Sequence, residues 1–181
     1  MNLAILHQAK ASGRAKRTHF IFTGDNGWAQ GEHRQRGKVF VYEETNRVPL
    51  VWSGPGIPAT GQVRTELVNN LDLTATMVDL MGLTPGRVMD GQSLRGLLEG
   101  GSPAWREDIL LRDAFTLAVR TADGWLYAET TTTAYGEEIE LYDMAGALSR
   151  VADPYQNRNV AGKAAYAAKQ AELKKLAGAA F

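Results

Sequence analysis

The chain has 181 residues, of which 44% are hydrophobic and 22% charged, and its 20 basic and 20 acidic side chains leave a formal net charge of zero. A balanced charge gives no global field for nucleic acid or an anionic membrane surface, and no apolar run reaches the length of a transmembrane helix. The absence of cysteine excludes disulfides, thiolate metal sites and a cysteine nucleophile within these residues.

Length allows one ordinary domain or the last part of a larger one. The opening MNLAILHQAKASGRAKR lacks the basic-then-apolar order of a signal peptide, and compartment stays open. Leu3, Ala4, Leu6 and Ala9 fall at helical spacing, with Gly13 as the stop. Lys10, Arg14, Lys16 and Arg17 follow as a basic cluster; without interleaved aromatics it reads as a solvated helix end. His19–Thr23 is dense in aromatic and β-branched residues and predicts a buried strand. Pro49–Trp52 predicts a second, ended by Gly54-Pro55-Gly56.

Asn69–Met81 predicts a helix with an apolar stripe of Leu71, Leu73, Met77, Val78, Leu80 and Met81, and Gly82 as its stop. Helix, strand, long loop, strand and helix make the pattern of an α/β protein whose active loops follow strand ends. Gly100-Gly101-Ser102-Pro103 marks a boundary between residues 1–100 and 101–181. Beyond it Phe115–Val119 alternates, Asp123-Gly124 signals a hairpin, and Trp125–Tyr127 and Glu140–Tyr142 offer further strands. Ala161–Leu176 is rich in Ala, Lys, Glu and Leu and predicts a helix. The second part is therefore expected to be a small antiparallel sheet carrying a C-terminal helix.

The chemistry concentrates between Thr23 and Gly54. Asp25-Asn26 ends the first strand, and both side chains offer oxygen, which suits Ca²⁺ or Mg²⁺ better than a softer metal. The same Asp-Asn-Gly also fits an Asx-turn that simply closes a strand. It is not an EF-hand, because Gly27 stands at the third position and Arg36 at the twelfth. Gly31–Lys38 is not a P-loop: its spacer is one residue too long and Val39 replaces the Mg²⁺-binding hydroxyl residue. Lys38 can reach a sulfate or phosphate oxygen as a point charge, or stand as an ordinary surface lysine. His7, His19 and His33 form no H-E-x-x-H pair; His33 shares the Asp25–Lys38 loop and faces either substrate or solvent. Glu43 and Glu44 could act as acids, but two carboxylates adjacent in sequence are not a glycosidase pair, and Gly91–Gly96 has the wrong spacing for a G-x-S-x-G nucleophile elbow.

Taken in order, these segments resemble the sulfatases of the alkaline phosphatase superfamily. Phe20–Gly27 matches that family's strand followed by SDNG, with Gly24 in place of serine. Gly31-Glu32-His33, Gly37-Lys38, Tyr42-Glu43-Glu44 and Arg47–Leu50 follow in family order. Gly54–Ile57, Asn70–Thr76, Asp90–Leu94, Glu140–Asp143 and Asp153-Pro154-Tyr155 complete the match. The resemblance implies the C-terminal part of an alkaline-phosphatase-like α/β sandwich, in which Asp25 and Asn26 ligate Ca²⁺, with Mg²⁺ less favoured, and Lys38 contacts the sulfate. It also implies sulfate-ester hydrolysis by a formylglycine. That nucleophile arises in a C/S-x-P-S/A-R motif, which is absent from these residues.

The expected partner is accordingly an upstream half of the catalytic domain, and the chain alone is expected to be inactive. Two other readings stay open: a non-catalytic remnant or partner module, and a phosphodiesterase or phosphonate hydrolase of the same superfamily. The segment between Asp143 and Asp153 is longer than the family's spacer, which points to rearrangement at the end of the C-terminal sheet.

Overall fold

The computed structural model describes residues 3–113, 115–132 and 136–178. The chain is α/β and forms two compact units, Met1–Asp25 with Val48–Trp105, and Asn26–Arg47 with Arg106–Phe181. The change at Trp105/Arg106 lies just beyond the Gly-Gly-Ser-Pro stretch. Residues 26–47, placed in the first part by the sequence reading, cluster with the second unit.

In the first unit, helix α1 (Leu3–Ala11) precedes strand β1 (Phe20–Phe22), which pairs antiparallel with β4 (Val51–Ser53), Ile21 opposite Trp52. The Trp52 indole N–H donates to His19 Nδ1 at 3.2 Å. Helix α3 (Asn70–Leu80) opens with a capping box. Asn69 Oδ1 accepts from Leu71 N and Asp72 N, while Asp72 Oδ2 accepts from Asn69 N at 2.8 Å. Asp72 Oδ1 also accepts from Gln92 N, and Thr76 Oγ1 accepts from Leu94 N, both at 2.8 Å. These bonds bring the Asp90–Leu94 segment onto the helix, ahead of α4 (Arg95–Leu98). A Cβ at Gly91 would lie 2.2 Å from the Leu71 carbonyl oxygen, so only glycine permits this approach.

The helix corrects one expectation. Its buried residues are Asp72, Ala75 and Thr76, whereas Leu71, Met77 and Met81 of the predicted apolar stripe are exposed. Asp72 and Thr76 face inward because they satisfy the amides of segment 90–94, which no hydropathy pattern encodes.

The second unit is built on a four-stranded antiparallel meander, β5 (Asp108–Arg112), β6 (Thr116–Thr121), β7 (Trp125–Thr132) and β8 (Gly136–Asp143), paired in that order. Strand side chains alternate between faces, and both faces of this sheet are covered. Val119, Trp125, Tyr127 and Leu141 pack with Val160, Leu173 and Ala177, the last two from helix α5 (Ala167–Gly178). Ala118, Leu126, Ala128 and Tyr142 pack with Val41 and Met144. The hairpin turns at Asp123-Gly124 as predicted, with Gly124 at φ 92°. The predicted C-terminal helix begins later than expected, after a short 3-10 turn at Ala164–Tyr166.

Buried polar side chains hold the chain beyond β8. Asp143, 2% exposed, accepts from the amides of Ala147, Leu148 and Ser149 at 2.7–2.8 Å. The long spacer is thereby a loop folded on Asp143, and Asp153 N closes it on the Met144 carbonyl at 3.1 Å. Asp153 accepts from Asn157 N and Arg158 N. Asn159 Oδ1 accepts from Leu141 N, and its Nδ2 donates to the Ile139 carbonyl.

Burial would raise the Asp143 pKa, but the three amides outweigh it and hold the carboxyl below its ordinary value of 3.8. A lowered folded-state value means the stabilisation is present above the unfolded pKa and is lost as pH falls through the folded one. Asp143→Asn is therefore expected to destabilise the chain by about 1–3 kcal/mol at neutral pH. It should also flatten the decline in stability below pH 4, a change that urea titrations over a pH series will detect.

Candidate active site

Two of the candidate residues, His33 and Lys38, lie on a loop closed at its neck. Gly27 N donates to the Thr45 carbonyl at 2.9 Å and Trp28 N to the Glu44 carbonyl at 3.0 Å. Inside the neck β2 (Ala29–Gln30) pairs with β3 (Arg36–Gly37), and the short helix α2 (Glu43–Asn46) closes the return. A Cβ at Gly27 would lie 2.0 Å from the Glu44 carbonyl oxygen, so the turn after Asp25-Asn26 requires glycine. Gly27→Ala is expected to open the neck while leaving the sheet intact. Amide exchange at Gly27 and Trp28 should rise at least tenfold, with protection of β6 and β7 unchanged.

Lys38 stands between two residues in the left-handed region, Gly37 at φ 111° and Val39 at φ 79°. For a β-branched residue this is a strained conformation, costing on the order of 1–3 kcal/mol and found where structure is tied to a task. The Lys38 ammonium donates to Asn26 Oδ1 at 3.2 Å, and Asn26 Nδ2 donates to the Gly27 carbonyl at 2.7 Å. Lysine and amide, twelve residues apart in the chain, thus meet in the fold.

Asp25 belongs to the first unit, where its carbonyl accepts from Asn70 Nδ2 at 2.9 Å. Its side chain is exposed, and among the described residues no protein group donates to its carboxylate.

His33 sits at the tip of the loop with φ 52°. Its side chain is 11% exposed, 3.5 Å from the Glu44 carboxylate, and stacked on Tyr42 with ring centroids 3.8 Å apart. It packs within the loop. Burial, then the neighbouring Glu140 carboxylate, push the Tyr42 phenol well above its ordinary range; its hydroxyl donates to Glu140 Oε1 at 2.9 Å.

A cleft of about 290 Å³ opens beside Lys38 and Asn26, lined also by Asn46, Arg112 and Asp113. Arg112 and Asp113 were not singled out from the sequence, where the available signal was a charged pair directly after the apolar run Ile109-Leu110-Leu111. Gln156 was also missed. It is 1% exposed, adopts φ 53°, and its Oε1 caps α2 by accepting from Glu43 N at 2.8 Å.

The carboxylate of Asp25 and the amide oxygen of Asn26 are both oxygen donors, the kind a hard cation takes. Asn26 Oδ1 is the atom that receives the Lys38 ammonium, so that oxygen already has a partner. Two oxygens are fewer than the six to eight that Ca²⁺ takes. Among the described residues no group of three His, Asp or Glu side chains forms a metal cluster.

Residues 31–179 match the family model described as "N-sulphoglucosamine sulphohydrolase, C-terminal". The chain belongs to the sulfatase family. Among curated relatives it is 32% identical to an N-acetylglucosamine-6-O-sulfatase of Bacteroides thetaiotaomicron, over 95% of this chain and 31% of that protein. It is 33% identical to arylsulfatase K of Gallus gallus, over 82% of this chain and 28% of that protein. A solved structure in complex with its substrate D-glucosamine-2-N,6-O-disulfate superposes with a TM-score of 0.85 at 28% identity, covering 98% of this chain and 36% of that one. This sulfatase chain thus spans about a third of the length of each of these three proteins, and it shares the fold of the solved one over that stretch.

Proposed function

We propose that these residues supply the sulfate-contacting lysine and part of the metal site of a hydrolase acting on carbohydrate sulfate esters. The observation that carries the reading is the Lys38–Asn26 contact at 3.2 Å beside an open cleft. The relatives named above, an N-acetylglucosamine-6-O-sulfatase and a protein bound to a glucosamine disulfate, support sulfated aminosugars as the substrate class.

Lys38 places a fixed positive charge beside the sulfate oxygens, where charge develops as the ester bond breaks. Its loop is held by its neck and by backbone conformation before substrate arrives, so little reorganisation is needed during reaction. Arg112 provides a second cation on the same cleft. Asp25 and Asn26 would hold Ca²⁺, which when bound supplies charge neutralisation at the sulfate oxygens. Residues 1–181 contain no C/S-x-P-S/A-R motif, so we assign the formylglycine nucleophile to an upstream half of the catalytic domain.

The test is calorimetric titration of the chain with Ca²⁺, alongside Asp25→Ala. Binding in the millimolar range or weaker is expected, as suits a partial oxygen shell, and it should vanish in the variant. Binding that survives Asp25→Ala would overturn the metal assignment. The chain alone is expected to show no aryl sulfate turnover, and measurable turnover would overturn the placement of the nucleophile.

A further inference from the structure

Building on the reading of Lys38 as a sulfate contact, we propose that the second unit holds an adjoining subsite. It takes an unsulfated, hydroxyl- or amine-bearing sugar ring joined to the sulfated one. A second cleft of about 290 Å³ shares Val39, Phe40, Val41 and Asp113 with the Lys38 cleft, so the two have a common wall. The volume is near the lower end for ligand clefts and suits one ring.

The chemistry changes across that wall. The first cleft carries Lys38 and Arg112. The second, among the described residues, is lined by Asp113, Glu138 and Glu140 and by no lysine or arginine. A second sulfate there would meet like charge, whereas hydroxyl and ammonium groups would find acceptors.

The remaining lining is what a pyranose uses. Phe115, 61% exposed, offers an uncovered aromatic ring to the apolar face of a sugar. Thr116 and Thr130 lie opposite one another on β6 and β7 with their hydroxyls 3.1 Å apart, on strands that do not need to move. Asp113 is fixed through Oδ1 by the amides of Phe115 and Thr116 at 2.7 and 2.8 Å. Its Oδ2 has no protein donor among the described residues and is available to a ligand hydroxyl.

Glu140 plays a different part. It accepts from the hydroxyls of Tyr42 and Tyr142 and builds the floor. The shared wall includes Val39, which lines both clefts and has a left-handed backbone and 60% exposure. A wall held under strain at the junction of two clefts is consistent with a position shaped for recognition.

The experiment is amide chemical-shift mapping of the 181-residue chain with three probes: glucosamine 6-sulfate, an unsulfated glucosamine disaccharide, and that disaccharide carrying one 6-sulfate on its terminal ring. The sulfated disaccharide should bind at least tenfold more tightly than the sulfated monosaccharide, shifting Phe115, Thr116 and Thr130. Phe115→Ala should abolish that gain. Glu138→Lys, at an exposed position, should favour a disaccharide with a second sulfate and decides the matter if the first variant does not fold.

Equal affinity for both sulfated probes, or variants without effect, would overturn the subsite. Shifts at Lys38 with silence at Phe115, Thr116 and Thr130 would overturn the subsite and leave the Lys38 reading standing. Shifts at the subsite with silence at Lys38 would do the reverse. Silence at both overturns both.

Discussion

Lys38→Ala is expected to lower kcat for a sulfate ester by about 10²–10³-fold, the usual cost of removing one preorganised charge-stabilising donor. The measurement requires an enzyme in which residues 1–181 are joined to the proposed nucleophile-bearing half. KM should change less than kcat, because the ammonium is worth most where charge develops on the ester. Lys38→Arg should recover only part of the loss. Gly37 and Val39 fix the backbone on either side, and a planar guanidinium cannot occupy the position of a compact ammonium. Full activity in Lys38→Ala would make Lys38 an ordinary surface lysine, and the site would have to be sought elsewhere on the chain.

The largest effect on stability is expected from Trp125→Ala. Trp125 is 1% exposed and belongs to the cluster with Val119, Tyr127, Leu141 and Leu173. Tyr166 meets its ring edge-on at 6.2 Å, and the Lys169 ammonium lies 5.8 Å from the ring centroid. Removing the indole leaves a cavity under α5, costing about 3–5 kcal/mol, with a smaller part from the lost cation–π contact. Since native stability is itself about 5–15 kcal/mol, the variant should be largely unfolded at modest urea concentrations. A midpoint shift in urea smaller than that for a surface substitution such as Lys175→Ala would contradict this packing.

How far these features can be read from the chain depends on the range of the interactions behind them. The strand at Phe20–Phe22, the hairpin at Asp123-Gly124 and the stop at Gly82 rest on neighbours a few residues apart, so residue type and turn chemistry announce them, although the strand is not buried as expected, Phe22 being 43% exposed. The order of the segments from Asp25-Asn26 to Asp153-Pro154-Tyr155 was enough to indicate the sulfatases. Tertiary structure alone decided the rest. Lys38 meets Asn26 because a loop neck closes at Gly27, and Gln156 caps α2 from 113 residues away.

The face of α3 ran against its hydropathy because Asp72 and Thr76 satisfy the amides of a segment that follows much later. Arg112 and Asp113 enter the Lys38 cleft through the folding of the second unit, not through any local pattern. The physical reason is common to all of these. Local periodicity records which side chains must leave water, whereas long-range polar contacts are chosen by whichever backbone groups folding leaves without partners.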